Sequence, residues 1–254
     1  MILTTNSCLA ALVFGCGCFS LWFFTFHNDI KQTEYQDSLC VVRAYVGYVT
    51  CAALNYSFLI QAIFRYVTVV YPTRTFWHSV KFQVLLIASA WLFSIIYPFV
   101  FLFTNEIMYN IDNQICQLPL RRSFSMLYMA LCIYTIPILL IMLIYMKLIR
   151  YVQHMSKHVI SVNALSRARR ELQMIRRIVI LVMILVFVCF PYEVFVIMSL
   201  FINPPKYHFR IALICVTLSY VFVMICLFQF TEPLKTYLMK KIKRPTNVVV
   251  ARVA

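Results

Sequence analysis

Long apolar runs, parted by short polar segments, recur from one end of the chain to the other. Runs near 5–26, 40–71, 82–104, 124–149, 178–202 and 208–230 each approach or exceed the roughly 20 residues that carry a helix across a bilayer. Helices are required there, because a lone strand in lipid would leave its backbone N–H and C=O groups without partners. A β-barrel would show short alternating strands and many turn residues, and neither is present. The pattern predicts an all-α, polytopic transmembrane helix bundle over 1–230, with six spans.

The polar segments place the ends of these helices. Residues 27–39 and 105–123, with a tight turn at Asn203-Pro204-Pro205, fall on one side, and 72–81 and 150–177 on the other. The second run is long enough to form a helix of about 45 Å, which must tilt or protrude from the bilayer. Pro98, Pro137 and Pro191 lie inside runs, where a missing N–H bends a helix. Beyond Phe230 the character changes. Thr231 can cap a helix and Pro233 suits its first turn, while Leu234, Tyr237, Leu238 and Ile242 share one face. Lys235, Lys240, Lys241, Lys243 and Arg244 lie largely elsewhere, so 231–254 is expected to be a cytoplasmic amphipathic helix and tail on the inner membrane surface. A disordered basic tail is the alternative.

Composition agrees with the membrane. The chain is 63% hydrophobic and 12% charged, against roughly 25% charged in soluble domains. A net charge of +15 would suggest nucleic acid in a soluble protein. Here seventeen of the 23 Lys and Arg fall in one set of connecting segments and helix ends, and six in the other. That is the positive-inside bias, and it predicts a multi-pass plasma-membrane protein with both ends of the chain cytoplasmic. The basic balance then reports topology and anionic lipid, with no nucleic-acid partner. The first run is not read as a signal peptide, because no Lys or Arg precedes Lys31.

Most of the ten cysteines sit within apolar runs and behave as small core residues. Cys40, at the outer end of the second run, and Cys116, in the outer segment 105–123, face an oxidising compartment and are expected to bond to each other. Chemistry for catalysis is missing. His154 and His158 have the spacing of a metal pair, but cations surround them and no acid accompanies them. No phosphate loop or nucleophile elbow occurs, so neither an enzyme nor a resident metal or cofactor is implied. A multi-helix transporter is the competing class, although three glycines sit poorly with broken midplane helices.

Twenty-five residues after Cys40 comes Phe64-Arg65-Tyr66, followed by Val69-Val70-Tyr71-Pro72. Trp91 and Pro98 follow at a spacing of seven, Pro137 and Tyr145 at eight, and then Phe190-Pro191. In this order and spacing the chain resembles rhodopsin-like G protein-coupled receptors. Their third helix opens with a disulfide cysteine and closes with Asp-Arg-Tyr, their fifth carries a proline and a tyrosine, and their sixth a Cys-Trp-x-Pro element. The resemblance implies a seven-helix receptor fold, a heterotrimeric G protein as cytoplasmic partner and an extracellular peptide or small molecule as ligand. It gives coupling and activation roles to Arg65, Tyr66 and Tyr145, and to Glu171, which stands where many relatives place the acidic partner of the arginine. Residues 1–26 resemble the second helix. The first then has no counterpart, as in a fragment, an incomplete sequence or a receptor that dispenses with one helix.

The departures are specific. The family's second-helix aspartate falls on Ala11, its third-helix serine partner on Leu54, and the Asn-Pro-x-x-Tyr region on Met224-Ile225-Cys226-Leu227-Phe228. No sodium site is therefore expected. Phe64 replaces the acid beside Arg65 and Cys189 the usual tryptophan, so a receptor-like protein that no longer couples is a further alternative. Gly47 stands where amine receptors carry an aspartate. Glu193 is the only acid deep in the outer half of a run, which makes it a candidate contact for a cationic ligand. Its alternative is a partner within the protein, such as Arg43 or Arg210. Tyr48, Tyr192 and Arg43 complete the expected ligand-binding set, with Tyr134 nearby.

Overall fold

The computed structural model describes residues 2–31, 38–71, 75–119, 124–157, 183, 190, 194–199, 201–202 and 205–230. Five helical segments among them are long and apolar enough to cross a membrane: Ile2–Lys31, Cys40–Val70, Val80–Phe103, Phe124–His154 and His208–Ile225. In chain order the elements are α1 (Ile2–Lys31), α2 (Cys40–Val70), the single turn α3 (Thr75–His78), α4 (Val80–Ile96) and α5 (Phe99–Phe103). Strands β1 (Met108–Asn110) and β2 (Ile115–Gln117) follow, then α6 (Phe124–Ala130), a π-helical turn (Leu131–Thr135), α7 (Ile136–Lys157) and α8 (His208–Phe230). Most of the run 178–202 and all of 231–254 lie outside the described residues, and with them the expected fifth span and the amphipathic tail.

Helix α2 is the axis of the bundle and packs on α1, α4 and α7. Its buried positions Ala44, Tyr48, Ala52, Leu59 and Ala62 recur at helical spacing, and the alanines let neighbouring backbones come close. Helix α1 shows the reverse pattern on its far side, where Leu9, Leu12, Phe19, Phe23, Phe26 and Ile30 are exposed. In water such a stripe would be a liability; in a bilayer it is the surface lipid wets. Sparse side-chain hydrogen bonds fix the rotation of the helices. Trp91 Nε1 donates to Asn6 Oδ1 at 2.9 Å, Trp22 Nε1 to Thr217 Oγ1 at 2.9 Å, and Gln61 Nε2 to Ser7 Oγ.

Proline interrupts the third span. The helix expected across 82–104 stops at Ile96, and Tyr97 and Pro98 form a turn before α5 resumes. The break swings Tyr97 and Phe101 into the core, where both are almost fully buried. The Tyr97 hydroxyl donates to the backbone carbonyl of Tyr48 at 3.0 Å.

Pro137 acts differently. It offers no N–H to the carbonyl four residues back, Ile133, or to the one five back, Cys132. Helix α2 supplies the missing donors: Asn55 Nδ2 reaches the Ile133 carbonyl at 3.0 Å, and the Tyr56 hydroxyl reaches that of Cys132 at 3.1 Å. The π turn is therefore held from outside by two side chains of the axial helix.

Segment 105–123, expected only as an external connection, contains the antiparallel hairpin, with Tyr109 opposite Cys116. Strands of three residues are too short to leave a clear alternating pattern. Asn110 Oδ1 accepts from the Asn113 backbone N–H at 2.9 Å, and Gln114 takes a left-handed φ of 55° to close the turn. The buried Asn113 then ties the hairpin to the start of α8, donating to the Lys206 carbonyl at 3.1 Å and accepting from the Arg210 N–H at 3.3 Å.

Candidate functional site

The disulfide Cys40–Cys116 fastens β2 to the first residue of α2, with Cα atoms 5.5 Å apart. Successive side chains of a strand point to opposite faces. With Cys116 turned to Cys40, its neighbours Ile115 and Gln117 face the other way, into the bundle. They line a cavity of about 100 Å³ together with residues of α1, α2, α6, the π turn and α8.

The lining is mainly apolar: Phe14 and Leu21 from α1, Ala44 and Gly47 from α2, Met129 and Ile133 from the α6–π segment, Phe209 and Val216 from α8. Its polar groups are few. Tyr48 lies between α2 and the hairpin, its hydroxyl donating to Gln117 Oε1 at 2.6 Å and accepting from the Leu118 N–H at 3.0 Å. The Tyr134 hydroxyl stands 3.7 Å from Cys51 Sγ, and both residues border the cavity, as does the free thiol Cys18. Among the described residues no charged side chain lines it.

Of the residues expected to bind ligand, Tyr48 borders this cavity, and so does Tyr134. Arg43 does not: its guanidinium sits over the Phe24 ring at 4.3 Å from the centroid. Pro191, Tyr192 and Glu193 lie outside the described residues. Arg210, weighed as a partner for Glu193, grips Asp29 with its two terminal guanidinium nitrogens, at 2.8 and 3.1 Å. Gln117 was not singled out from the sequence, although its place beside a disulfide cysteine was the available signal. Asn55 was also missed; a lone amide within an apolar run is a flag for a hydrogen-bonded role.

At the far ends of the same helices, Arg65 and Tyr66 occupy the last turns of α2 and Tyr145 lies on α7. Tyr145 is almost fully buried, within electrostatic reach of Arg65. Glu171 lies outside the described residues. Ala11 and Leu54, where the resemblance would place an acid and its serine partner, are buried apolar contacts. The described residues contain no group of His, Cys, Asp and Glu suited to a metal ion.

Comparison with known proteins adds one finding. No curated protein matches the chain. The model of the 7 transmembrane receptor (rhodopsin family) matches residues 2–229, nearly the whole of the helical region and both ends of the bundle described above. With that match over most of the chain, and with a helical bundle to which a disulfide fastens a hairpin, the chain belongs to the rhodopsin family of seven-transmembrane receptors.

Proposed function

We propose that the chain is a plasma-membrane receptor that binds an extracellular ligand in the cavity beneath the β1–β2 hairpin and activates a heterotrimeric G protein at its inner face. The observation that carries this is the sharing of two elements by both places. Helix α2 lines the cavity with Gly47, Tyr48 and Cys51 and carries Arg65 near its other end, and the α6–π–α7 rod lines it with Ile133 and carries Tyr145 within electrostatic reach of Arg65. Ligand and G protein thus address the same two rigid bodies, as a coupling free energy between sites requires. Both chain ends then lie in the cytoplasm, and Arg65, Tyr66 and Tyr145 form the described part of the coupling surface.

The test is nucleotide exchange on purified heterotrimers by the chain in lipid nanodiscs. Exchange above that of empty discs is expected, falling about tenfold or more in Arg65→Ala, the scale of one lost charged contact. The variant's unfolding temperature should not change. Absence of exchange with every heterotrimer class would leave a receptor-fold protein that does not couple.

A further inference from the structure

We infer that the ligand seats a small, uncharged, largely apolar group in this cavity, and that this group offers one hydrogen-bond acceptor to Gln117. This rests on the receptor reading above and goes beyond it in naming the chemistry.

Volume is the first constraint. About 100 Å³ is less than the roughly 150 Å³ engineered cavity that takes up benzene. The cavity is partly open, so this volume bounds the group seated in the lining, one no larger than a small ring. Charge is the second. An ion moved from water into this lining would lose its hydration with no described countercharge to replace it. Arg43, Asp29 and Arg210 do not lie in the lining: Arg43 sits over Phe24, and Asp29 pairs with Arg210.

Hydrogen bonding is the third. The Tyr48 hydroxyl already has both a donor and an acceptor partner, so it directs no unmet group at a ligand. Gln117 accepts through Oε1, and its Nε2 has no partner among the described residues while the side chain borders the cavity. An amide N–H₂ in such surroundings selects an alcohol, ether or carbonyl oxygen. Cys18, Cys51 and Met129 add soft, polarizable walls that favour apolar matter over water.

The probes are a shape-matched pair, cyclopentanol and cyclopentylammonium, at millimolar concentration against the receptor in nanodiscs. Cyclopentanol is expected to raise the unfolding temperature by about 2 °C or more, and cyclopentylammonium to leave it unchanged. Gln117→Leu should weaken the cyclopentanol shift, but it also removes an acceptor from Tyr48. A second variant avoids that complication. A Cβ at Gly47 would meet nothing closer than Leu21 Cδ1 at 3.9 Å, so Gly47→Leu can grow into the cavity, and it should abolish the shift in a folded protein. A shift with cyclopentylammonium that Glu193→Gln removes would overturn the inference in favour of a cationic ligand. No shift with either probe would overturn it as well. Nucleotide exchange, measured on the same discs, reports separately on the receptor reading.

Discussion

At the scale of single residues, the three glycines show how little a sequence says about contact. They entered as a count against broken midplane helices, yet they differ sharply in surroundings. A Cβ at Gly15 would stand 2.4 Å from the Tyr220 hydroxyl oxygen and 2.8 Å from Cζ, whereas one at Gly17 would stand 3.6 Å from Thr50 Oγ1. Tyr220 cannot simply turn aside, since its ring packs edge-on against Phe14 at 5.6 Å. Gly15→Ala should therefore destabilise the bundle by about 1–3 kcal/mol through overpacking. Gly17→Ala should be neutral or stabilising by up to about 1 kcal/mol, the helix-propensity gain of alanine over glycine. Thermal unfolding in nanodiscs separates them, and equal midpoints would refute the close approach. Both glycines lie two positions apart on one apolar run, so only the packing of α1 on α8 distinguishes them.

At the scale of elements, proline was legible and its consequence was not. Pro98 and Pro137 both stood out as interruptions of apolar runs, but one ends a helix and the other sits beyond a π turn. Both breaks draw donors from α2: the Tyr45 hydroxyl reaches the Ile95 carbonyl at 2.8 Å beside Pro98, and two side chains satisfy the freed carbonyls of the other. Asn55 and Tyr56 do so at Pro137, and neither residue is near it in sequence. Asn55→Leu should then cost about 1–3 kcal/mol, the penalty for a buried carbonyl left without a donor. In a Pro137→Ala background, where the backbone N–H returns, the same substitution should cost distinctly less. Additive effects in this double-mutant cycle would mean that Asn55 does not serve the proline. Because Ile133 also lines the cavity, the clasp lies between that cavity and the Tyr145 end of α7.

At the scale of the whole molecule, the helical bundle was readable because lipid imposes few solutions: long apolar runs suffice for helices. What closes the outer end was not readable. The Asp29–Arg210 pair joins α1 to α8, and Asn113 joins the hairpin to α8, across separations of 181 and 97 residues. Polar residues scattered over connecting segments carry no pattern that says which will meet. Asp29 is 40% exposed, so the ion pair itself should contribute no more than about 1 kcal/mol. Asp29→Asn is expected to lower the unfolding temperature only slightly, and less at high salt. A large, salt-independent loss would assign Asp29 a different part. The disulfide is the stronger tie, and Cys116→Ser should reduce stability by about 2–4 kcal/mol, read as a lower midpoint and lower surface expression.

The alternation of Ile115, Cys116 and Gln117 along β2 has an effect beyond strength. The register of this three-residue strand is held by the disulfide together with the Tyr48 hydrogen bonds to Gln117 and Leu118, and a slip of one position would exchange its two faces. Gln117 would turn outward, and Cys116 would present a thiol to the cavity. The bond at Cys116 thus works as a frame marker that decides which side chains face the cavity. Mild reduction of the folded protein should accordingly blur discrimination between neutral and charged ligands at temperatures where every helix remains intact. Recognition, not the fold, would be the first property lost in a reducing environment.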